Sequence, residues 1–471
     1  MFFRVNEFNF GDFEVILSTQ NKRLPDNAIS IITGKNAVGK SRLLSNIIAF
    51  YIKKIKDTKD NDLNSQYYDS NNKPSNIIVI TNNSADRFPQ KYEKDTFYEY
   101  FGNKTKLRAT INDKYEIFRK IILHEKPNTD CLKSTLSYLN FQPYFSITFT
   151  SNIKLTAQNF QINNFIDLYY KYNDFIKNTV YISNKSKSLL SSFDPENPIE
   201  NQKVFQSLTI SEKYFFLILK HLSKDGKNIK KIKFEIIFEF IDSLISNNLS
   251  KIQRHFDIDN LGVKESFDDL KYLLNHDIIK ISNVNFKPSH SKYQIEFYNL
   301  SSGQQSLLKI FLGISSCIDH NSLICIDEPE VNLHPEWQTE FILKLQELFK
   351  TYFGCHFLIA THSPQIVSGL SSPNGFIVDL ENNDTHESIK YSKKSADYQL
   401  AKIFNAPGYN NEYIIKICLL IISKVKNKSK FDESDINIIN ELKGFQKLLK
   451  IDDPVYYLVK EVLSLYGEIN E

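Results

Sequence analysis

Short, continuous apolar runs bounded by polar residues recur near the N-terminus and again in the last third of the chain. Four such runs stand out, at residues 29–33, 76–81, 322–327 and 355–361. Runs of this length without polar alternation are typical of strands that are buried on both faces of a sheet. Helix-period segments follow two of them, at residues 41–51 and 336–352. The pattern predicts an α/β fold, a mixed sheet flanked by helices.

Two other local patterns lie near the first of these strands. Residues 3–10 and 13–18 alternate apolar and polar positions around Gly11-Asp12, which predicts a β-hairpin. Residues 53–74 are rich in Lys, Asp, Asn and Ser. This composition predicts a solvated loop.

Between residues 113 and 286 the pattern becomes helical, with little glycine or proline. The helical segments are at residues 114–124, 162–178, 211–223 and 234–252. They contain no sustained heptads with charged flanks, so the pattern favours a compact, mainly helical lid over a coiled-coil arm. We therefore expect an α/β domain, here called the head, whose sequence is interrupted by this helical insertion.

The last hundred residues contain one predicted strand at 375–380 and then four helical segments, at 398–404, 412–426, 433–450 and 454–466. The domain organisation that we expect is a head formed by residues 1–110 and 291–380, a helical insertion at 111–290, and a helical C-terminal region at 381–471.

Composition narrows the class of protein. Of the 471 residues, 41% are hydrophobic and 24% are charged, as in soluble globular proteins. No run approaches the roughly 18 apolar residues of a membrane span, and the N-terminus lacks a secretory signal pattern, so we expect a cytoplasmic protein with no membrane partner. The five cysteines form no C-x-x-C pair.

Charge says little about partners. The net charge of +3 is too small to indicate nucleic acid as a bulk ligand. Basic runs at residues 53–59 and 224–233 could form local patches for nucleic acid. Such runs are more often solvated faces.

A glycine-rich loop links the first buried strand to the helix that follows. Residues 34–41 read Gly-Lys-Asn-Ala-Val-Gly-Lys-Ser, which matches G-x-x-x-x-G-K-[ST]. In this motif backbone N–H groups surround phosphate oxygens, and the lysine and the hydroxyl meet the terminal phosphates and Mg²⁺. The cofactors that we expect are ATP and Mg²⁺. The predicted nucleotide-binding residues here are Gly34, Lys35, Asn36, Ala37, Val38, Gly39, Lys40, Ser41 and Arg42, and Ser41 also contacts the metal.

A second candidate anion site precedes the apolar helix predicted from residue 306. The residues are Ser301, Ser302, Gly303 and Gln304. A serine and a glycine at a helix start offer a hydroxyl and backbone N–H groups to phosphate. Taken alone this is weak, because serine at this position is usually only a helix cap.

Two later strands end in residues with metal-binding or acid–base chemistry. The strand at 322–327 ends in Asp327 and Glu328, whose side chains diverge, so that Asp327 can hold hydrated Mg²⁺ while Glu328 faces an attacking water. The strand at 355–361 is followed by His362, which can donate a hydrogen bond to a γ-phosphate. A lone histidine would more often be structural. The order and spacing of all these motifs favour the functional interpretation.

Together these motifs resemble those of ATP-binding-cassette ATPases of the branch that includes SMC, RecF and OLD-family proteins. The resemblance implies a P-loop head with Walker A at 34–41, a signature at 300–304, Walker B at 323–328 and a switch histidine at His362. It implies that two heads dimerise head to tail, so that Ser301 and Gly303 contact the γ-phosphate held by the other subunit. Glu328 would polarise the water.

Two departures from that pattern indicate a particular branch. Ser302 stands where the signature usually has glycine, and His334-Pro335 stands where SMC-like heads usually have aspartate. The phrase at 328–335, Glu-Pro-Glu-Val-Asn-Leu-His-Pro, resembles OLD-like and defence-associated ATPases. The glutamine loop of the family is placed after Thr81.

OLD-family enzymes carry a Toprim nuclease domain, for which the residues after Gly369 are too few to fit comfortably. Its Asp-x-Asp pair is absent there, and the triplet 257–259 falls in the predicted helical insertion. We therefore expect no nuclease site in this chain.

The remaining architecture is similar to the ATPase subunits of bacterial anti-phage systems. These are the Septu and retron-associated ATPases, whose partner is an HNH nuclease, and next the PARIS ATPase, whose partner is a Toprim protein. The resemblance implies an ATPase that holds or regulates a separate nuclease through ATP-dependent dimerisation. Two alternatives stay open: a RecF- or SMC-like DNA-binding ATPase of DNA repair, and a scaffold that binds ATP but hardly hydrolyses it.

Overall fold

The computed structural model of the chain divides into two units. It describes residues 2–19, 25–60, 72–83, 86–89, 96–102, 115–123, 128–152, 162–180, 182–191, 197–224, 232–246, 251–258, 268–427 and 431–470. The first unit, here called the head, comprises residues 1–106 and 301–471, and the second, the insert, comprises residues 107–300.

The described residues form thirteen strands and seventeen α-helices. The strands are β1 Glu7–Phe10, β2 Phe13–Ile16, β3 Ala28–Thr33, β4 Ile77–Thr81, β5 Tyr98–Phe101, β6 Phe141–Ser151, β7 Lys251–Asp257, β8 Ile279–Pro288, β9 Ile295–Glu296, β10 Leu323–Asp327, β11 His356–Ala360, β12 Gly375–Asp379 and β13 Asp384–Glu387. The helices are α1 Lys40–Asp60, α2 Glu116–Leu123, α3 Thr129–Tyr138, α4 Ile162–Lys171, α5 Asn173–Asn178, α6 Asn184–Leu190, α7 Pro198–Ser207, α8 Ile210–Lys224, α9 Phe234–Ser246, α10 Asp268–Asn275, α11 Ser302–Ser315, α12 Pro335–Leu348, α13 Pro364–Gly369, α14 Ala396–Lys402, α15 Glu412–Lys426, α16 Glu433–Gln446 and α17 Pro454–Asn470. None of these helices combines the length and the apolar content that crossing a membrane requires.

A seven-stranded sheet forms the centre of the head. Its strand order is β13-β12-β3-β11-β10-β4-β5, and all neighbours are parallel except β12 and β13. Every residue of β3, β4, β10, β11 and β12 is buried. Burial on both faces explains why these strands are continuous apolar runs in the sequence. The predicted α/β fold with a mixed sheet is confirmed.

Helix α1 packs with this sheet and with the antiparallel β1–β2 hairpin. Their shared core includes Leu43, Leu44 and Ile47 of the helix. The helix continues to Asp60, so the first part of the predicted loop at 53–74 is wrong. The reason is that Ile55, only 6% exposed, continues the apolar stripe of α1 into the core. Residues 61–71 of that predicted loop lie outside the described residues.

The C-terminal region is helical, as predicted. Helices α15, α16 and α17 enclose an apolar cluster that includes Ile414, Leu442 and Val459. The region also contains β13, which the sequence pattern did not predict. β13 pairs with β12 at the edge of the central sheet.

The insert contains an antiparallel sheet as well as the predicted helices. Its strand order is β7-β6-β8-β9. The helix predicted at 234–252 ends at Ser246, and Ile252 lies in β7, opposite Phe149 of β6. Asp257, the first residue of the Asp-x-Asp triplet, closes β7 instead of lying in a helix, and Asp259 lies outside the described residues. The prediction of a helical insertion therefore missed the sheet.

Candidate functional site

The glycine loop lies between the end of β3 and the start of α1. Gly34 has φ 141° and Gly39 has φ 110°, in the region that favours glycine, and Ala37 also has a positive φ of 65°. A Cβ at Gly34 would stand 2.9 Å from Val38 Cγ1. These conformations turn the backbone from Gly34 through Asn36 to Gly39 into a tight loop at the helix N-terminus. Successive N–H groups in such a loop bind anions.

Lys40 begins α1 and is 5% exposed. Its Nζ donates hydrogen bonds to Gly34 O at 2.9 Å and Lys35 O at 3.2 Å, and lies 3.5 Å from His362 Nδ1. Burial lowers the pKa of Lys40, whereas the neighbouring carboxyl groups of Glu328, Glu330 and Asp327 raise it. The ammonium group is therefore held inside the loop and faces the acidic residues that follow β10.

Two further charged residues of the glycine-loop region, Lys35 and Arg42, contact other parts of the head. Lys35 Nζ forms an ion pair with Glu381 Oε1 at 2.6 Å. The Arg42 guanidinium lies 4.9 Å from the centre of the Phe10 ring. Of these two predicted nucleotide-binding residues, Lys35 contributes its carbonyl to the lysine's hydrogen bonds, and Arg42 packs on the hairpin.

Ser41 and Asp327 meet at the ends of α1 and β10. Ser41 Oγ donates a hydrogen bond of 2.9 Å to Asp327 Oδ1. Asp327 is 1% exposed, and its Oδ2 is buried without a hydrogen-bond partner. Burial, opposed by the Ser41 hydrogen bond and reinforced by Glu330 and Asp86, raises the pKa of Asp327 to about 6.

A buried, half-satisfied carboxylate beside a hydroxyl fits a hard cation such as Mg²⁺. No group of three or more His, Cys, Asp and Glu side chains in the described part of the chain is arranged to hold a metal by itself. Mg²⁺ usually keeps several waters and binds one or two carboxylates together with substrate phosphates. The Ser41–Asp327 pair matches that mode of binding.

Glu328 is held in a left-handed backbone conformation, with φ 53°, directly after β10. Its N–H donates to Ala360 O of β11 at 2.9 Å, and its Oε1 lies 3.4 Å from His362 Nε2. Burial, then the neighbouring carboxyls of Glu330 and Asp327, raise the pKa of Glu328. When it is ionised, a carboxylate with a raised pKa is a stronger base and accepts a proton from water more readily.

His362 lies between Lys40 and Glu328. An ammonium group can only donate, so the contact with Lys40 makes His362 Nδ1 the acceptor and leaves the ring proton on Nε2, facing Glu328. Burial and the Lys40 charge lower the pKa of His362, while Glu330 opposes them. The neutral ring thus connects the glycine loop to the acidic end of β10.

Glu330 belongs to none of the predicted site motifs. Its Oε1 accepts a hydrogen bond of 2.5 Å from His362 N, and its Oε2 accepts one of 2.8 Å from Thr361 Oγ1. A second acid two residues after Glu328 was the only signal in the sequence. Its meaning depends on the left-handed turn at Glu328 and on the pairing of β10 with β11, which a motif does not contain.

The signature segment begins α11. Ser301 caps the helix: its Oγ accepts from Gln304 N at 3.3 Å, and Gln304 Oε1 accepts from Ser301 N at 3.2 Å. Ser301 and Ser302 are exposed. A Cβ at Gly303 would stand 2.9 Å from Asn332 O, in the loop that follows Walker B. These described contacts do not join the segment to the glycine loop of the same chain.

The exit of β4, predicted as the glutamine loop, lies beside Asp327. Thr81 is paired in register with Asp327, and Lys309 of α11 donates a hydrogen bond of 2.7 Å to Thr81 O. Burial lowers the pKa of Lys309 to about 8, and Asp86 opposes that shift. The half-buried Lys309, which belongs to none of the sequence motifs, connects the signature helix to this exit.

Comparison with known proteins gives a family and several distant relatives. Residues 8–367 match the family described as AAA ATPase domain, AAA_15. Over 376 residues the chain is 21% identical to the retron Vc95 probable ATPase of Vibrio cholerae serotype O1 biovar El Tor. The matched region covers 73% of this chain and 67% of that protein.

Two further relatives match shorter parts of the chain. Septu protein PtuA of Bacillus thuringiensis is 26% identical over 159 residues, which is 31% of this chain and 38% of PtuA. Protein ea59 of Escherichia phage lambda is 25% identical over 190 residues, which is 38% of this chain and 35% of ea59. The chain thus spans little more than a third of the length of these two proteins.

The family match covers most of the chain, including the glycine loop, the Asp327–Glu328 pair and His362. On that ground the chain is a member of the AAA ATPase domain family AAA_15, and the proteins to which it is similar include the retron Vc95 probable ATPase and Septu protein PtuA.

Proposed function

We propose that this chain is a Mg²⁺-dependent, ATP-hydrolysing subunit of an anti-phage defence complex, which regulates a separate nuclease through ATP-dependent dimerisation. The observation that carries the catalytic part is the convergence of Lys40, Ser41, Asp327, Glu328 and His362. They come from the ends of three parallel strands, where α/β sheets bind ligands.

Each side chain has a step in the proposed reaction. The glycine loop and Lys40 hold the phosphates, and Ser41 with Asp327 orients the metal. Bound Mg²⁺ would neutralise charge that develops on the phosphate oxygens during transfer. Glu328 takes a proton from the attacking water, and His362 Nε2–H donates to a γ-phosphate oxygen. Its neutral ring makes this donation without an added charge.

The dimer is proposed from the exposed start of α11. Ser301 and Ser302 are exposed at the capped N-terminus of α11, and the positive end of a helix dipole attracts phosphate. A second head that faces this terminus would complete a shared site. The defence role and the nuclease partner, of HNH or Toprim type, are supported by the relatives' names, retron ATPase and Septu protein.

The catalytic proposal is tested with the purified chain, its Lys40→Ala variant and Lys344→Ala as a matched control. Lys344 is a surface lysine on α12 that pairs with Glu347. We expect Mg²⁺-dependent phosphate release from the parent and the control, and loss of at least about 100-fold in Lys40→Ala because the phosphate contact disappears. Equal release by Lys40→Ala would contradict the proposed site.

The defence proposal is tested separately. The chain is expressed with the genes that flank it in its genome, and phage plaques are counted for the parent and for Lys40→Ala. Protection that is lost in Lys40→Ala supports the proposal. If the purified chain hydrolyses ATP but the parent locus gives no protection, the proposed ATPase activity is supported and the proposed defence role is contradicted.

A further inference from the structure

The Glu330 carboxylate contacts the two residues that follow β11, Thr361 and His362. It accepts from Thr361 Oγ1 at 2.8 Å and from the His362 backbone N–H at 2.5 Å. Its charge also raises the pKa of the neighbouring Glu328 carboxyl. We propose that Glu330 is a positioning residue, which holds His362 in the position relative to Glu328 that the chemical step needs. This inference rests on the proposed ATPase function.

The backbone explains how Glu330 reaches across. Asp327 and Ala360 are paired in register at the ends of β10 and β11, and Glu328 N–H bonds Ala360 O. The left-handed conformation of Glu328 then reverses the chain direction. Two residues later, the carboxylate of Glu330 lies over the exit of β11. The loops after two neighbouring strands are thereby joined first by backbone and then by side-chain hydrogen bonds.

Both oxygens of Glu330 are engaged by separate donors, which fixes the orientation of the carboxylate. One donor is the backbone N–H of His362, so Glu330 fixes the backbone position from which the imidazole side chain extends. The ring itself then lies between Lys40 Nζ and Glu328 Oε1. Small displacements of groups at a reacting centre cost about 10²-fold in rate. Glu330 is placed to prevent such a displacement.

The effect of Glu330 should fall on turnover and not on nucleotide affinity. The groups proposed to hold phosphate and metal have their own supports: Lys40 bonds the carbonyls of the glycine loop, and Ser41 bonds Asp327. None of these hydrogen bonds passes through Glu330. Loss of the carboxylate would therefore leave the binding groups in place and disturb the pair that acts on water and on the γ-phosphate.

The test compares Glu330→Ala, Glu330→Gln and Thr361→Val with Glu347→Ala, a change at an exposed acid on α12. For Glu330→Ala we expect kcat to fall about 10- to 100-fold while the KM for ATP and the Kd of a fluorescent ATP analogue stay within about 3-fold. In Thr361→Val, which removes one of the two donors to Glu330, kcat should fall less than in Glu330→Ala. Glu330→Gln keeps an acceptor for His362 N–H and should recover most of the rate.

A double-mutant cycle separates positioning from general support. Because Glu330 is proposed to act largely through His362, Glu330→Ala should cause little further loss in a His362→Ala background. Full additivity of the two losses would overturn the proposal, as would a Glu330→Ala variant with parental kcat or with a changed KM alone. If Glu330→Ala does not fold, the same cycle is run with Thr361→Val, and parental kcat in that variant overturns the proposal.

The two proposals fail in distinguishable ways. A parent protein that releases no phosphate from ATP contradicts the proposed function and with it the role of Glu330. A parent that hydrolyses ATP, together with a Glu330→Ala variant of equal kcat, contradicts only the positioning role.

Discussion

The Ser41 hydroxyl donates a 2.9 Å hydrogen bond to Asp327 Oδ1, which joins the first turn of α1 to the end of β10. The other carboxylate oxygen of Asp327 is buried and has no partner. A buried carboxylate left half-satisfied is costly unless a ligand completes it. The pair therefore has the features expected of the proposed Mg²⁺ site, in which a bound cation would satisfy the second oxygen.

Asp327→Asn is expected to weaken ATP binding about 10-fold or more in Mg²⁺, because the amide is a poorer ligand for a hard cation. In EDTA the parent and the variant should bind ATP with similar affinity. Titration of a fluorescent ATP analogue in both buffers measures the difference. An equal loss in Mg²⁺ and in EDTA would show that Asp327 supports the fold and not the metal.

Glu328→Gln is expected to keep nucleotide affinity and to lose at least about 100-fold in kcat, since the amide cannot accept the proton from water. The ATP-bound dimer should then accumulate. Single-turnover hydrolysis and size-exclusion chromatography with light scattering measure the two effects. Turnover equal to that of the parent would remove Glu328 from its role.

Mixing Lys40→Ala chains with Ser301→Arg chains tests the shared site. Each variant alone should be inactive, because one lacks the phosphate lysine and the other blocks the exposed start of α11. In the mixture, each mixed dimer should contain about one working site. The control mixes Lys40→Ala chains with chains that carry both Lys40→Ala and Ser301→Arg, and this mixture should stay inactive. If the mixture recovers no activity, the head-to-tail arrangement is wrong.

His356 provides a prediction about pH. The ring is fully buried, its Nδ1 accepts from Val5 N at 3.1 Å, and its Nε2 lies 2.8 Å from Ser30 Oγ. Ser30 donates its own proton to Leu17 O, so Nε2 must carry the ring proton and a second proton has no place. Burial, reinforced by Arg4, lowers the pKa of His356 to about 3.

The unfolded chain therefore binds a proton at His356 below about pH 6.5, whereas the folded chain does not until about pH 3. The free energy of unfolding should decrease as the pH falls through this window. We expect the unfolding midpoint in urea to drop between about pH 7 and about pH 5, and to drop less in His356→Gln. Equal decreases in the two proteins would contradict the assignment.

The central sheet and most of the site could be predicted because their signals are local. β3, β10 and β11 are buried on both faces, so each is a continuous apolar run, and the polar residues that follow them are visible as motifs. Lys40, Asp327 and His362 are far apart in the sequence, yet parallel strands deliver their C-terminal ends to one edge. Hydrogen bonds in the structure join Lys40 to His362 and Ser41 to Asp327.

The sheet of the insert was missed for a different reason. Phe145, Ile147 and Phe149 of β6 alternate with the polar residues Ser146 and Thr148, so a period-two signal was present. Its partner strand lies far along the chain, with Tyr144 opposite Asp257, and helical segments separate the two. Such long-range pairing has no local signature. The role of Glu330 was missed likewise, because it depends on strand register and on one left-handed residue.

The position of β3 between β11 and β12 affects how the protein is made. Residues of the glycine loop leave the ribosome early, but both neighbours of their strand are translated only when residues 356–379 have been added. At about 5–20 residues per second the nascent chain waits on the order of tens of seconds for them. A translation product that ends before residue 356 should therefore lack both neighbours of β3 and be unable to form the proposed nucleotide site.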